Sequence, residues 1–143
     1  MKIAVAESCT GGLIAHRITN VPGSSAYFER GVVTYSNESK IGILQVNPET
    51  IRNAGAVSKD VAIAMAEGVL KISGADIGLS TTGIAGPTGG SAEKPVGLVW
   101  IGYADASGSL AVEFHFGDDR LRVKERAAQS ALELVRRKLL KIE

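Results

Sequence analysis

Two glycine-bearing segments, each directly after a short apolar strand, constrain the fold of this chain more than any other feature. The first covers residues 6–12, Ala-Glu-Ser-Cys-Thr-Gly-Gly, and the second residues 81–91, Thr-Thr-Gly-Ile-Ala-Gly-Pro-Thr-Gly-Gly-Ser. Hydroxyl groups and unobstructed backbone N–H groups at two strand ends are typical of a site for a polar, anionic small molecule. The segments therefore predict a sheet in which these two strands end at one ligand-binding edge.

Strand and helix patterns alternate along the first part of the chain, and a hairpin follows. We predict strands at residues 3–6, 31–36, 76–81, 96–103 and 110–116. Helical patterns begin near residues 11, 37, 58 and 120, and a turn signal at residues 105–108 joins the last two strands. This order predicts an α/β fold with a mostly parallel central sheet, helices on both faces and at least one antiparallel strand.

The composition is that of an ordinary globular domain. The chain has 143 residues, 45% of them apolar and 22% charged, so we expect one domain covering residues 1–143. The net charge of +1 gives no argument for binding to nucleic acid or to a membrane. A single cysteine and the lack of a long apolar run predict a soluble cytoplasmic protein without disulfides.

Each glycine-bearing segment has a functional and a structural interpretation. A helix start after the first strand stabilises an anion by about 0.3–1 kcal/mol, but the same residues also cap a helix. The second segment lacks the Gly-Lys-Ser/Thr of a Walker A loop, and it is either a binding loop or a flexible turn. The candidate substrate-binding residues of the two segments are Ser8, Thr10, Gly11, Gly12, Gly83, Gly86, Gly89 and Gly90.

The serine pair Ser24 and Ser25 forms, with Tyr35 and Lys40, the most informative set of reactive side chains. A serine becomes a nucleophile when a base takes its proton, and a lysine with a lowered pKa can be that base. Each residue also has an ordinary role: a turn cap, a packed ring and a solvated lysine. The two histidines, His16 and His115, are expected at the surface or at an edge, so a Ser-His-Asp triad is not predicted.

Three other features are weaker candidates for chemistry. Arg120 is either a surface arginine or a bidentate clamp for phosphate or carboxylate. Cys9 lies near a helix start, where its pKa could fall, but we do not assign it as the nucleophile. Glu7 and the pair Asp118 and Asp119 lack the ligand spacing of a metal site, so we expect neither a metal nor an organic cofactor.

Taken together, these motifs closely resemble the C-terminal domain of the competence/damage-inducible protein CinA, a family that includes stand-alone nicotinamide mononucleotide (NMN) deamidases. The resemblance extends in order over essentially the whole chain. The matching stretches are residues 6–12, 22–26, 33–38 with Lys40, 55–58, 82–87, 89–91 and 93–97.

The resemblance implies a three-layer α/β/α sandwich with a mixed, mostly parallel five-stranded sheet that includes a C-terminal hairpin. It also implies hydrolysis of the NMN carboxamide to nicotinate mononucleotide and ammonia, in the pyridine nucleotide cycle. The family's functional positions, carried over by motif, fall on Ser25, Tyr35, Lys40, Thr82 and Arg120, with Ser8 in the pocket wall. The second serine of the Gly-Ser-Ser motif, Ser25, is the expected nucleophile.

On this hypothesis Lys40 takes the proton of Ser25, directly or through Tyr35, and either N–H groups near Ser25 or the Thr82 hydroxyl stabilise the oxyanion. Glycine-loop N–H groups and Arg120 bind the 5′-phosphate. Family members usually have a helix of about twenty residues before the first strand. Because this chain opens on the strand, the surface that the helix would cover is either bare or covered by a partner chain, and we expect a homo-oligomer. Two alternatives stay open: a non-catalytic nucleotide-binding or regulatory module, and an amidase for another small amide.

Overall fold

The computed structural model of the protein describes residues 1–142, which form five strands and five helices. The strands are β1 (Ile3–Glu7), β2 (Phe28–Val33), β3 (Ile77–Gly83), β4 (Leu98–Asp105) and β5 (Gly108–His115). The helices are α1 (Leu13–Thr19), α2 (Asn37–Leu44), α3 (Pro48–Ala54), α4 (Lys59–Ser73) and α5 (Arg120–Leu140), and a single 3-10 turn covers Ser24–Ala26.

The strands form one mixed sheet in the order β2-β1-β3-β4-β5. The first three neighbours are parallel, whereas β4 is antiparallel to β3 and β5 is antiparallel to β4. The predicted α/β fold with five strands and a C-terminal hairpin is therefore confirmed. Because β1, β2 and β3 are parallel, their carboxyl ends lie at one edge of the sheet, and this edge carries the site described below.

Helices cover both faces of the sheet and give it three layers. Helices α1 and α5 pack on one face, and α4 packs on the other, where it also contacts α2 and α3. Strand β1 shows the alternation that this arrangement requires: Ile3 and Val5 enter one core, while Ala4 and Ala6 enter the other. The fold therefore has two apolar cores, one on each side of a sheet whose central strands are buried.

Helix α4 lies unusually close to the sheet because two glycines face it. A β-carbon added to Gly78 would overlap the carbonyl oxygen of Ala66, and one added to Gly102 would overlap that of Ala62. The Ser80 hydroxyl also donates a 2.6 Å hydrogen bond to the Ala62 carbonyl. The backbone of α4 is thus fixed directly against β3 and β4.

Two elements differ from the sequence-based prediction. Strand β2 covers Phe28–Val33 rather than residues 31–36, because the chain leaves the sheet early and Ser36 then caps α2 by accepting a bond from the Ser39 amide. Helix α3 was not predicted, although Asn47 caps it and Pro48 occupies its first turn, which is a common start signal. Within residues 1–142, none of the helices combines the length and apolarity needed to cross a bilayer.

Candidate active site

A buried lysine lies at the edge formed by the carboxyl ends of the parallel strands. Lys40 is on α2, directly after β2, and only 1% of its side chain is exposed. Its Nζ lies 2.9 Å from the carbonyl oxygen of Thr34, 3.1 Å from that of Tyr35 and 3.1 Å from Oγ of Ser8. The side chain thus connects the chain after β2 to the residue that follows β1.

The surroundings of Lys40 favour its neutral form. Burial lowers the pKa of the Lys40 amine, and no carboxylate of residues 1–142 forms an ion pair with it. Burial raises the pKa of the neighbouring Cys9 thiol to about 12, so Cys9 is uncharged near neutral pH and offers no counter-ion. A neutral amine has two N–H groups for the two carbonyls and a lone pair for the Ser8 hydroxyl.

The fold fixes Ser8 at the end of β1. Its amide donates to the carbonyl of Thr81 on β3 at 3.1 Å, and its own carbonyl accepts from the amide of Gly11 at 3.0 Å. Gly11 and Gly12 have φ values of 59° and 103°, so the tight turn after Ser8 uses a left-handed conformation that glycine adopts easily. Ser8 is 8% exposed, so its backbone is held rigidly while its hydroxyl faces Lys40.

The buried side chains of Glu7 and Thr10 stabilise this turn through hydrogen bonds. Glu7 is 1% exposed, and its carboxylate accepts bonds from the amides of Ile14 at 2.8 Å and Ala15 at 3.0 Å. The Thr10 hydroxyl donates to Glu7 Oε1 at 2.7 Å and lies 2.8 Å from the Thr81 hydroxyl. The Thr10 hydroxyl is thus buried and engaged by its neighbours, so the predicted substrate contact of Thr10 falls to its backbone.

Arg120, at the start of α5, joins two of the predicted site regions. Its Nη1 donates to the carbonyl of Gly86 at 2.7 Å, and its Nη2 donates to the Tyr35 hydroxyl at 3.1 Å. The Asp119 side chain caps α5 by accepting from the Arg122 amide, which fixes the direction of the first turn. Arg120 and Tyr35 therefore lie at the same edge as Ser8 and Lys40.

The glycines after β3 serve packing at some positions and leave backbone exposed at others. A β-carbon at Gly83 would lie 2.7 Å from the Leu98 carbonyl oxygen, and one at Gly86 would overlap the Val96 side chain. Gly89 and Gly90 are exposed. The Thr82 hydroxyl donates to the carbonyl of Ala56 at 2.8 Å, so its proton is not free for an oxyanion.

Ser25 lies at the opposite edge of the sheet, which corrects the predicted trio. It belongs to the exposed 3-10 turn before β2, and the neighbouring Tyr27 carbonyl accepts from the amide of Ile3 at the start of β1. At about 3.3 Å per residue, the five residues of β1 separate the two edges by about 16 Å. Within one chain, the serine next to Lys40 is Ser8 and not Ser25.

The sequence contained a signal for this pairing. Ser8 and Lys40 each come shortly after a strand, and β1 and β2 are adjacent and parallel. Ser25 comes before β2, so it had to lie at the other edge. Among residues 1–142, no three His, Cys, Asp or Glu side chains are grouped so that they could hold a metal ion.

A cleft of about 360 Å³ opens beside the turn that follows Ser8. It lies between the start of α1 and the first turns of α5. Its lining residues are Thr10, Gly11, Gly12, Leu13, His16, Leu121, Lys124 and Glu125.

The geometry defines an α/β/α domain with a serine–lysine pair at the carboxyl ends of its parallel strands. The family model of the CinA C-terminal domain matches residues 1–139, and the chain belongs to this family. CinA-like proteins of Chloroherpeton thalassium and Endomicrobium trichonymphae are 57% and 54% identical to it. The matches cover 95% and 96% of this chain but 33% and 32% of those proteins, so the chain spans about a third of their length.

Solved structures share the fold closely. The competence/damage inducible protein CihA from Agrobacterium tumefaciens is 46% identical, with a TM-score of 0.92 over 94% of this chain and 83% of that one. A CinA superfamily protein from Klebsiella pneumoniae 700603 is 34% identical, with a TM-score of 0.94 over 98% of this chain and 88% of that one. The second protein is named as a member of the CinA superfamily, to which the sequence motifs pointed.

Proposed function

We propose that this domain is an amidohydrolase that converts NMN to nicotinate mononucleotide and ammonia, with Ser8 as nucleophile and Lys40 as its base. The observation that carries the proposal is the 3.1 Å contact between Lys40 Nζ and Ser8 Oγ in a buried setting without a counter-ion. The substrate comes from the resemblance to NMN deamidases, and the reaction class comes from the geometry. Relative to the sequence-based hypothesis, the nucleophile moves from Ser25 to Ser8, while Lys40 keeps its role.

The first half of the reaction forms an acyl-enzyme. Neutral Lys40 takes the Ser8 proton, and Oγ attacks the carboxamide carbon of the substrate. The resulting ammonium then gives its proton to the departing nitrogen, the C–N bond breaks and ammonia leaves. The Thr34 and Tyr35 carbonyls hold Nζ in place throughout, because they accept its other two N–H bonds.

The second half releases the acid. A water molecule replaces ammonia, Lys40 takes one of its protons, and the hydroxide attacks the ester carbon. The bond to Ser8 Oγ breaks, and Oγ recovers a proton from Lys40. Each step uses Lys40 alternately as base and acid, so a lysine with a lowered pKa suits both halves of the cycle better than an ordinary surface lysine.

Backbone groups near Ser8 are suited to stabilise the oxyanion. The N–H groups of Thr10 and Gly12 donate no hydrogen bond within residues 1–142, and they belong to the rigid turn after the nucleophile. Losing one such donor typically costs a factor of about 10²–10³ in rate. Arg120, Tyr35 and the exposed backbone of Gly89 and Gly90 then remain as the proposed contacts to the nucleotide part of the substrate.

The deciding experiment measures ammonia release from NMN by the wild-type protein and by three variants. Ser8→Ala and Lys40→Met should each lose a factor of about 10³ or more in kcat/KM, because the dyad acts as a unit. Ser25→Ala is the matched serine control and should keep wild-type turnover. Nicotinamide and NAD serve as comparison substrates, and mass spectrometry of rapidly quenched reactions should find the acyl group on the peptide that contains Ser8.

Three results would contradict the proposal, and a fourth would change its substrate. Full turnover by Ser8→Ala would remove Ser8 as nucleophile, and loss of turnover in Ser25→Ala alone would return that role to the original candidate, supplied by a second chain. Saturable binding of NMN without ammonia release by the wild-type protein would favour the regulatory module. Release from a different amide would leave the dyad in place and change only the substrate.

A further inference from the structure

The first two turns of α5 present two cations on one side of the helix. Arg120 and Lys124 are four residues apart, a spacing that places side chains above one another. Arg120 is already engaged by the Gly86 carbonyl and the Tyr35 hydroxyl. Lys124 extends toward the turn after Ser8, since a β-carbon added to Gly11 would lie 3.5 Å from Lys124 Nζ.

Lys124 is the half-buried cation of the cleft beside Ser8. It forms no ion pair and no hydrogen bond with any of residues 1–142, although its side chain lines the 360 Å³ cleft together with Gly11, Gly12 and His16. Glu125 also lines the cleft but is exposed to solvent. An ammonium held over bare glycine backbone and without a protein partner is free to bind an anion.

We propose that Lys124 is the specificity-determining residue that binds the 5′-phosphate of the substrate and so selects the nucleotide over the nucleoside. This inference rests on the proposed function, because it assigns the phosphate end of the same substrate. The cleft starts at Thr10, two residues beyond the nucleophile, and reaches one helical turn along α1 to His16. A substrate whose amide lies at Ser8 can therefore extend its charged end into the cleft.

Glycine at position 11 is part of this arrangement. Any side chain there would stand between the turn and the Lys124 ammonium, and the φ value of 59° already disfavours other residues. The bare backbone thus leaves the Lys124 ammonium accessible to an anion that enters the cleft beside the turn. The lysine ammonium is a compact, strongly hydrated point charge, and such a charge can bind a phosphate. The planar guanidinium of Arg120 is already bonded to the Gly86 carbonyl and the Tyr35 hydroxyl.

The test compares NMN with nicotinamide riboside, which lacks the phosphate. Lys124→Gln should raise KM for NMN by about tenfold to a hundredfold, as expected for the loss of a charge-assisted contact, with little change in kcat. Its kinetics with nicotinamide riboside should not change. Lys124→Arg should keep most of the preference for NMN, and Lys71→Gln, an exposed lysine on α4, is the control that should change nothing.

Binding measurements separate this inference from the proposed reaction. Calorimetry with the Ser8→Ala protein, with and without Lys124→Gln, gives the dissociation constants for NMN and nicotinamide riboside even if no turnover occurs. Weaker binding of NMN alone in the double variant would support Lys124 as the phosphate contact. Equal losses for both ligands, no loss for either, or no binding of NMN at all would overturn it, whatever the activity of the wild-type protein.

Discussion

At the scale of single residues, the burial of Lys40 affects stability and reactivity through the same proton. The side chain is 1% exposed, and burial lowers its pKa from the ordinary value of 10.5. Below the pKa in the folded state, folded Lys40 carries a poorly solvated charge, whereas above that pKa it must lose its proton for the chain to fold. Between that pKa and the ordinary value, the unfolded chain binds the proton more tightly than the folded chain.

The first prediction concerns the pH dependence of stability in Lys40→Met. Because the unfolded state binds more protons in this window, the free energy of unfolding of the wild type should rise with pH by up to about 1.4 kcal/mol per pH unit, and the variant should lack this slope. Urea unfolding of both proteins at a series of pH values below the ordinary pKa of 10.5 measures it. Activity of the wild type should rise through the same pKa, and parallel stability curves for the two proteins would contradict the assignment.

Thr34 and Thr82 provide a second, matched prediction. The Thr34 hydroxyl is buried without a hydrogen-bond partner among residues 1–142, whereas the Thr82 hydroxyl bonds to the Ala56 carbonyl. Valine has nearly the shape of threonine, so Thr34→Val should stabilise the protein by about 1–3 kcal/mol, the usual cost of an unsatisfied buried group. Thr82→Val should instead destabilise it by about 1 kcal/mol, and urea titration distinguishes the two directions.

Part of the candidate site could be inferred from the sequence. Lys40 and Tyr35 were correctly placed at the edge where Arg120 joins them, because all three follow or face strand ends. The family resemblance points to Ser25 as the partner of Lys40, whereas the strand topology points to Ser8. A residue that precedes a parallel strand cannot share an edge with one that follows it, and this rule alone separates Ser25 from Ser8.

At the scale of elements, the first helix depends on an internal cap. No side chain caps α1 at Gly12; instead the Glu7 carboxylate, from the end of β1, accepts two amide bonds in its first turn. Helix α1 has only seven residues, so it has little stability of its own. The strand end, the turn with Ser8 and the helix start are thus held as one unit. The seven-residue α3, capped locally by Asn47, shows the commoner arrangement.

Glu7→Gln tests this cap. Glutamine keeps one acceptor oxygen but replaces the other by a donor, which would face the Ile14 or Ala15 amide, so we expect a loss of about 1–3 kcal/mol in the free energy of unfolding. Activity should fall with it, since the turn that holds Ser8 would loosen. Glu113→Gln, on the exposed edge strand β5, is the control and should stay within about 0.5 kcal/mol of the wild type.

The close contact of α4 with the sheet predicts that alanine will have opposite effects on stability at two glycines. Gly102→Ala should destabilise the protein by about 1–3 kcal/mol or more, because its β-carbon would overlap the Ala62 carbonyl. Gly42→Ala, at an exposed position of α2 with nothing within 4 Å of the added carbon, should stabilise the protein by about 0.5–1 kcal/mol. Thermal unfolding of both variants measures the contrast, and similar shifts would contradict the close packing of α4.

At the scale of the whole molecule, the candidate site lies at one edge of the sheet, and the β4–β5 turn lies at the opposite edge. The edge at the carboxyl ends of β1, β2 and β3 holds Ser8, Lys40, Tyr35 and Arg120. The opposite edge holds the β4–β5 turn, and Met1, Ser107 and Lys141 line one cleft there. The fold class and this division followed from the order of strands and helices, whereas the depth at which Lys40 is buried needed the packing of α2 against α4.

A short Gly-Ser insertion between Ala106 and Ser107 tests the separation of the edges. The turn lies at the start of β3 in the sheet, since Ala104 pairs with Gly78, so the insertion should leave kcat/KM for NMN within about twofold of the wild-type value. A comparable insertion between Gly89 and Gly90, in the loop at the other edge, should lower it strongly. Equal effects of the two insertions would contradict the proposed position of the site.

Met1 and the end of α5 line the same clefts at the edge away from Ser8, and this has a practical consequence. A tag, a fused partner or a surface linker attached at Met1 would orient the molecule with its cleft toward the solution. The domain is therefore suited to oriented immobilisation on an electrode or bead, where the proposed reaction would report NMN in solution as released ammonia.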